Sequence, residues 1–143
     1  LSIEARESLV SRLSFQDAQS KSDLLNPDLT STDLIEVLLE ITALTPGLEI
    51  TAVRTDHHPD GYLGVHSHQA GRAVDCWPLN SPKAGDYQDE NGMRFQQFLK
   101  ALQKENLVAQ VGLGGAANTV SNRNLLGQLG FEDDGEDHVH IGV

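Results

Sequence analysis

Ser67-His68-Gln69-Ala70-Gly71-Arg72-Ala73-Val74-Asp75 is the stretch on which the reading of this chain turns, with an imidazole at one end, a carboxylate seven positions on, and a glycine between them. Glycine tolerates a left-handed backbone, so Gly71 can bend the chain and bring His68, at the end of a loop, toward Asp75 inside a strand. Arg72 to Trp77 reads as that strand, short and buried, and Pro78 ends it. All six histidines fall in two stretches, His57, His58, His66 and His68 before the strand and His138 and His140 near the end of the chain. On a last strand at His138 to Val143 the two late histidines share a face, because side chains alternate with period two.

Around this nucleus the pattern alternates between helix and strand. Ile3, Leu9, Val10 and Leu13 mark a weakly amphipathic helix over 3–13, followed by a polar connection rich in Ser and Asp through about Thr30. Thr32 or Asp33 is expected to cap a second helix carrying Leu34, Val37, Leu38 and Ile41, with Glu36 three after Asp33 as in a capping box; Pro46-Gly47 stops it. Glu49 to Arg54 is rich in β-branched residues and reads as a strand, and Asp56 to Gln69 as a loop with a turn at Pro59-Asp60-Gly61. Phe95, Phe98, Leu99 and Leu102 give one face of a helix over 92–105. Leu107 to Val111 is a strand candidate, and a short helix is expected near Asn122 to Leu129. Short strands separated by helices and tight turns predict an α+β domain with strand order left open.

At 143 residues the chain has the size of one domain with a single core. Its 38% hydrophobic and 22% charged composition is that of a soluble globular protein, and no apolar run approaches the roughly 20 residues that cross a bilayer, so no membrane insertion is expected. The net charge of −11, with no basic block, argues against nucleic acid as a partner. The single cysteine, Cys76, excludes an internal disulfide and is expected as a buried thiol. The chain opens at Leu1 with neither an initiator Met nor a secretory signal, so the true start is expected to lie elsewhere, with targeting information in a larger parent protein or assembly.

Zinc favours imidazole nitrogen and carboxylate oxygen, and a catalytic site keeps three protein ligands so that a fourth position can take water. Two histidines and one aspartate meet that count. HxH pairs are common on protein surfaces, but confinement of every histidine to two stretches favours a metal site. Spacing alone does not select the ligands, and a set built from His66, His68 and the C-terminal histidines without Asp75 is an alternative.

The pattern S-H-x-x-G-x-A-x-D at Ser67, His68, Gly71, Ala73 and Asp75, followed downstream by D-x-x-H with HxH inside it at Asp137-His138-Val139-His140, resembles the zinc D-Ala-D-Ala carboxypeptidase and L-alanyl-D-glutamate endopeptidase family, which shares the hedgehog fold. The motifs span about Ile50 to Val143. Residues 1–30 add nothing to them and are read as an N-terminal helical extension to a zinc peptidase-like domain over 31–143, within one compact domain. The resemblance implies a small, mainly antiparallel sheet flanked by helices and one Zn2+ per chain held by His68, Asp75 and His140. It places Asp137 as general base, Arg54 as the arginine that polarises the scissile carbonyl, and His138 beside the reaction centre. It also implies hydrolysis of peptidoglycan stem peptides, at the cell wall, in the periplasm or in association with a phage. On an ideal strand Asp137 would face away from His138 and His140, so the base role requires it to precede the strand or to sit in a bulge, which Gly135 favours. The rival expectation is a zinc-stabilised structural or binding module of a phage virion or wall-associated protein, for which neither Asp137 nor Arg54 is needed.

Other features read plainly. Gly112-Leu113-Gly114-Gly115 lacks the Lys-Ser/Thr ending of a phosphate loop and is expected to line a groove or end a strand. Residues 132–137 lack the alternation of a calcium loop and read as a solvated turn, Asp137 excepted. Trp77 is expected in the core beside the metal strand. His57 and His58 are expected to be solvent-exposed or to support a ligand from behind, and Arg72 to pair with a surface carboxylate or with substrate.

Overall fold

A computed structural model describes residues 2–54, 67–79, 86–127 and 138–143 of the chain. Its elements run α1 (Ile3–Ser11), β1 (Leu13–Phe15), α2 (Ala18–Leu25), α3 (Thr32–Leu44), β2 (Leu48–Ala52), β3 (Ala73–Pro78), α4 (Glu90–Lys104), β4 (Gln110–Leu113), a 3-10 turn (Gly115–Ala117), α5 (Val120–Leu126) and β5 (Val139–Gly142). The five strands form one sheet in the order β1-β2-β3-β5-β4, with β1 parallel to β2 and the other pairs antiparallel. The α+β class is therefore as expected, and the sheet is mixed.

The two faces of the sheet differ chemically. Leu48, Ile50, Val74, Cys76, Val139, Ile141, Val111 and Leu113 follow one another across the register on one face, each at most 1% exposed. They belong to one core with Leu34, Ile35, Leu38 and Ile41 of α3 and Phe95, Leu99 and Leu102 of α4. Burial of side chains of this size contributes about 1.5–3 kcal/mol each. Because β alternation turns every second residue away, the same strands present Asp75 and His140 on the opposite face.

The N-terminal segment differs from the sequence reading. The expected polar connection through Thr30 contains the edge strand β1 and helix α2, and Leu9 and Leu24 are fully buried in the common core. Three-residue β1 is too short to show a periodicity. Helix α2, capped by Asp17 on the Ser20 N–H, buries Ser20 and Asp23 beside Leu24, a face held by polar groups that apolar spacing does not reveal. The second helix is capped by Ser31, not by Thr32 or Asp33. The Ser31 hydroxyl accepts from Leu34 N–H, its own N–H donates to the Gly71 carbonyl, and Asp33 in the first turn takes an ion pair from Arg72 at 3.0 Å. The chain enters α3 directly from contact with the turn that carries His68, which sets the helix start one residue early.

That turn is closed by Gly71 N–H on the His68 carbonyl, Arg72 N–H on the Ser67 carbonyl and Ala70 N–H on the Ser67 hydroxyl. Gly71 has φ +70°, and a Cβ there would run into the carbonyl oxygen of Leu29. Gly127 ends α5 at φ +60° with open space around the same position. Gly127→Ala should therefore cost only the left-handed strain, about 1 kcal/mol, whereas Gly71→Ala adds a backbone collision and should cost about 3 kcal/mol. Chemical denaturation of the two variants checks the difference; equal losses would mean that the Leu29 contact does not constrain the turn.

Candidate metal centre

Asp75 on β3 and His140 on β5 are directly paired residues, so their side chains leave the sheet together on one face. His68 arrives from the turn before β3. Its Nε2 lies 3.2 Å from Asp75 Oδ1 and 3.2 Å from His140 Nδ1, while His140 Nδ1 lies 3.3 Å from the same Asp75 oxygen. The two rings are inclined at 70°, so their donor nitrogens reach the triangle from different directions. Among the described residues this is the group of His, Cys, Asp and Glu side chains able to hold a metal ion.

The triangle matches a coordination face. Two donors each about 2.0–2.1 Å from a tetrahedral ion are separated by about 3.3–3.4 Å, and the three edges here are 3.2, 3.2 and 3.3 Å. Donor chemistry agrees. His68 Nδ1 sits 2.6 Å from the Val53 carbonyl, which can only accept, so the neutral ring carries its proton there and turns the Nε2 lone pair toward Asp75 and His140. Burial pushes the His140 pKa below its ordinary value, against the opposing pull of Asp75, which keeps the imidazole neutral and able to ligate. A cation held by these three atoms would satisfy lone pairs that otherwise face one another.

The cross-strand neighbours of Asp75 and His140 are small. Gly112 faces His140 and Ala52 faces Asp75. Strand β2 has an irregularity between Ile50 and Ala52, and Thr51 in it donates its hydroxyl to the Asp75 carbonyl at 3.2 Å. Beyond this bulge, Val53 N–H donates to the Ser20 hydroxyl of α2, so the carbonyl that orients His68 belongs to a residue itself held by the N-terminal segment.

The other expected residues are placed as follows. His138 is buried beside the triad, with Nε2 3.6 Å from Asp75 Oδ2, within ion-pair range. Arg54 directs Nη1 to the carbonyls of Gln69 at 2.7 Å and Leu29 at 3.3 Å. Arg72 pairs with the exposed carboxylate of Asp33 and donates to the Val143 carbonyl. Trp77 lies in the core at 8% exposure. Cys76 is the buried thiol expected, on the apolar face, where burial and the neighbouring Asp75 charge push its pKa far above the usual range. Gly114 and Gly115 take the chain out of β4 into the 3-10 turn. Asp137, His57, His58, His66 and the acidic run at 132–137 lie outside the described residues. The orienting Val53 carbonyl and the Ser20 contact had no counterpart in the sequence reading, because a backbone oxygen carries no residue-type signal.

No family model, curated protein or solved structure matches the chain.

The geometry predicts one divalent ion per chain. In elemental analysis and cobalt titration, His68→Ala and Asp75→Ala should each lose the ion at stoichiometric concentrations, while His66→Ala should retain it. Full retention by His68→Ala would place the ion elsewhere.

Proposed function

We propose that the chain is a zinc-dependent peptidase of the D-Ala-D-Ala carboxypeptidase and L-alanyl-D-glutamate endopeptidase type, with the hedgehog fold, acting on stem peptides of bacterial peptidoglycan. The observation that carries the reading is the convergence of His68 Nε2, Asp75 Oδ1 and His140 Nδ1 to edges of 3.2–3.3 Å, with the ligand order and spacing of the family motif. Two histidines with one carboxylate fit zinc in particular, because imidazole and carboxylate suit this ion and three protein ligands leave a position for water or substrate. When bound there, zinc supplies Lewis acidity and brings the pKa of a coordinated water toward about 7.

The chain's own residues do the remaining work in this reading. The Val53 carbonyl fixes the His68 tautomer, and the β3–β5 pairing fixes Asp75 against His140. The family motif assigns His138 a place beside the reaction centre, and its approach to Asp75 lets it hold the carboxylate in place. Asp137 is assigned by its motif position as the base that takes a proton and returns it to the leaving amine. Gly112 opposite His140 and Ala52 opposite Asp75 put no large side chain beside the triad. Burial of all three ligands to 4% exposure or less is the one observation that favours the alternative, a structural zinc module.

Hydrolysis separates the two. The zinc-loaded chain should cleave stem peptides of purified peptidoglycan, and Asp137→Asn should keep zinc while losing about two orders of magnitude or more in rate. Absence of cleavage at every bond of a broad stem-peptide panel, with stoichiometric zinc present, would replace the peptidase by the structural module.

A further inference from the structure

Residues 53 and 54 act on the His68 turn at two points. Val53 offers its carbonyl to His68 Nδ1, and the next residue, Arg54, extends its guanidinium past the turn to the carbonyl of Gln69, the residue after His68. The same Nη1 reaches the Leu29 carbonyl, and that oxygen occupies the space in front of Gly71 where a side chain would otherwise stand. Ser31 N–H closes the contact on the Gly71 carbonyl at 2.8 Å. One cationic group thus ties the end of β2, the α2–α3 connection and the metal-ligand turn together.

Hydrogen bonds inside the turn do not fix its distance from the sheet. Gly71 N–H, Arg72 N–H and Ala70 N–H all bond within residues 67–72. Asp75 and His140 are set by strand register, whereas His68 reaches them from a turn outside the sheet, so its position depends on contacts that the turn makes with other segments. Among the described residues, the His68 ring on Val53 and the Arg54 guanidinium on the Gln69 carbonyl reach the turn from the end of β2, while Ser31 N–H holds the Gly71 carbonyl from the start of α3; of these, Arg54 acts on the backbone directly beside His68.

We infer that Arg54 is a positioning residue for the metal site, acting through the Gln69 carbonyl to hold His68 at coordination distance from Asp75 and His140, rather than a group directed at substrate. The inference rests on the metal reading of the triad. It also makes the segment before α3 part of the site's support, since the Leu29 carbonyl is the second acceptor.

Cobalt titration of the full chain, followed by visible absorption, tests it. Arg54→Met should bind Co2+ about tenfold or more weakly, within the range known for groups that orient metal ligands, with an altered d–d band as His68 loosens. Arg54→Lys keeps a cationic donor on a shorter stem and should recover part of the loss, so its affinity should exceed that of Arg54→Gln. Phe95→Leu, a core change on α4, should lower stability while keeping parental affinity and spectrum, which separates positioning from general destabilisation. If Arg54→Met does not fold, the Lys-over-Gln ranking decides, and equal affinities overturn the inference. Parental affinity and spectrum in Arg54→Met with loss of stem-peptide cleavage would also overturn it and return Arg54 to the scissile carbonyl. A parent chain that takes up no cobalt fails the metal reading, and the Arg54 assignment with it.

Discussion

The pairing of β3 with β5, which sets Asp75 opposite His140, is the constraint on which the rest of the site depends. A carboxylate at 4% exposure, ringed by His68, His138 and His140, is costly to desolvate. Apolar residues of similar size would stabilise such a sheet more simply. Polar groups are nevertheless kept at this point of a sheet whose other face is apolar.

The architecture divides labour between the two faces. Helices α3 and α4 share a core with the apolar face, so the strands carrying Asp75 and His140 are held by side chains that take no part in coordination. The third member of the triad depends on a different device. His68 sits on a turn, and its placement rests on a glycine with φ +70°, a carbonyl at Val53 and a guanidinium at Arg54. Two members of the triad are thus fixed by sheet register and one by contacts among segments distant in sequence.

Those contacts also change the meaning of the N-terminal residues. Arg6, 2% exposed, donates to the carbonyls of Leu24 and Thr30 and to the Thr30 hydroxyl, which closes α2 against α1 and holds the connection leading to Leu29 and Ser31. Ser20 on α2 receives the Val53 N–H. Residues 1–30, which the motif does not reach, supply an edge strand and support the segment that orients His68.

Local chemistry in the sequence determined the helices at α3 and α4, whose apolar spacing matches the faces that are buried, and the two central strands, whose alternation follows from the pleat. It also determined the ligand candidates, because few residue types bind metal and all six histidines lie in two stretches. Tertiary structure alone brought Asp75 to the histidines, since the register that puts it opposite His140 is not written in the spacing of the residues. It alone decided the cap of α3, where Ser31 is placed by its bond to Gly71, and the presence of β1 and α2, whose short or polar faces have no periodic signature. The direction of Arg54 was equally closed to the sequence: a guanidinium's partners are backbone oxygens of Gln69 and Leu29, atoms every residue has, and only the folded path of the chain brings them within reach.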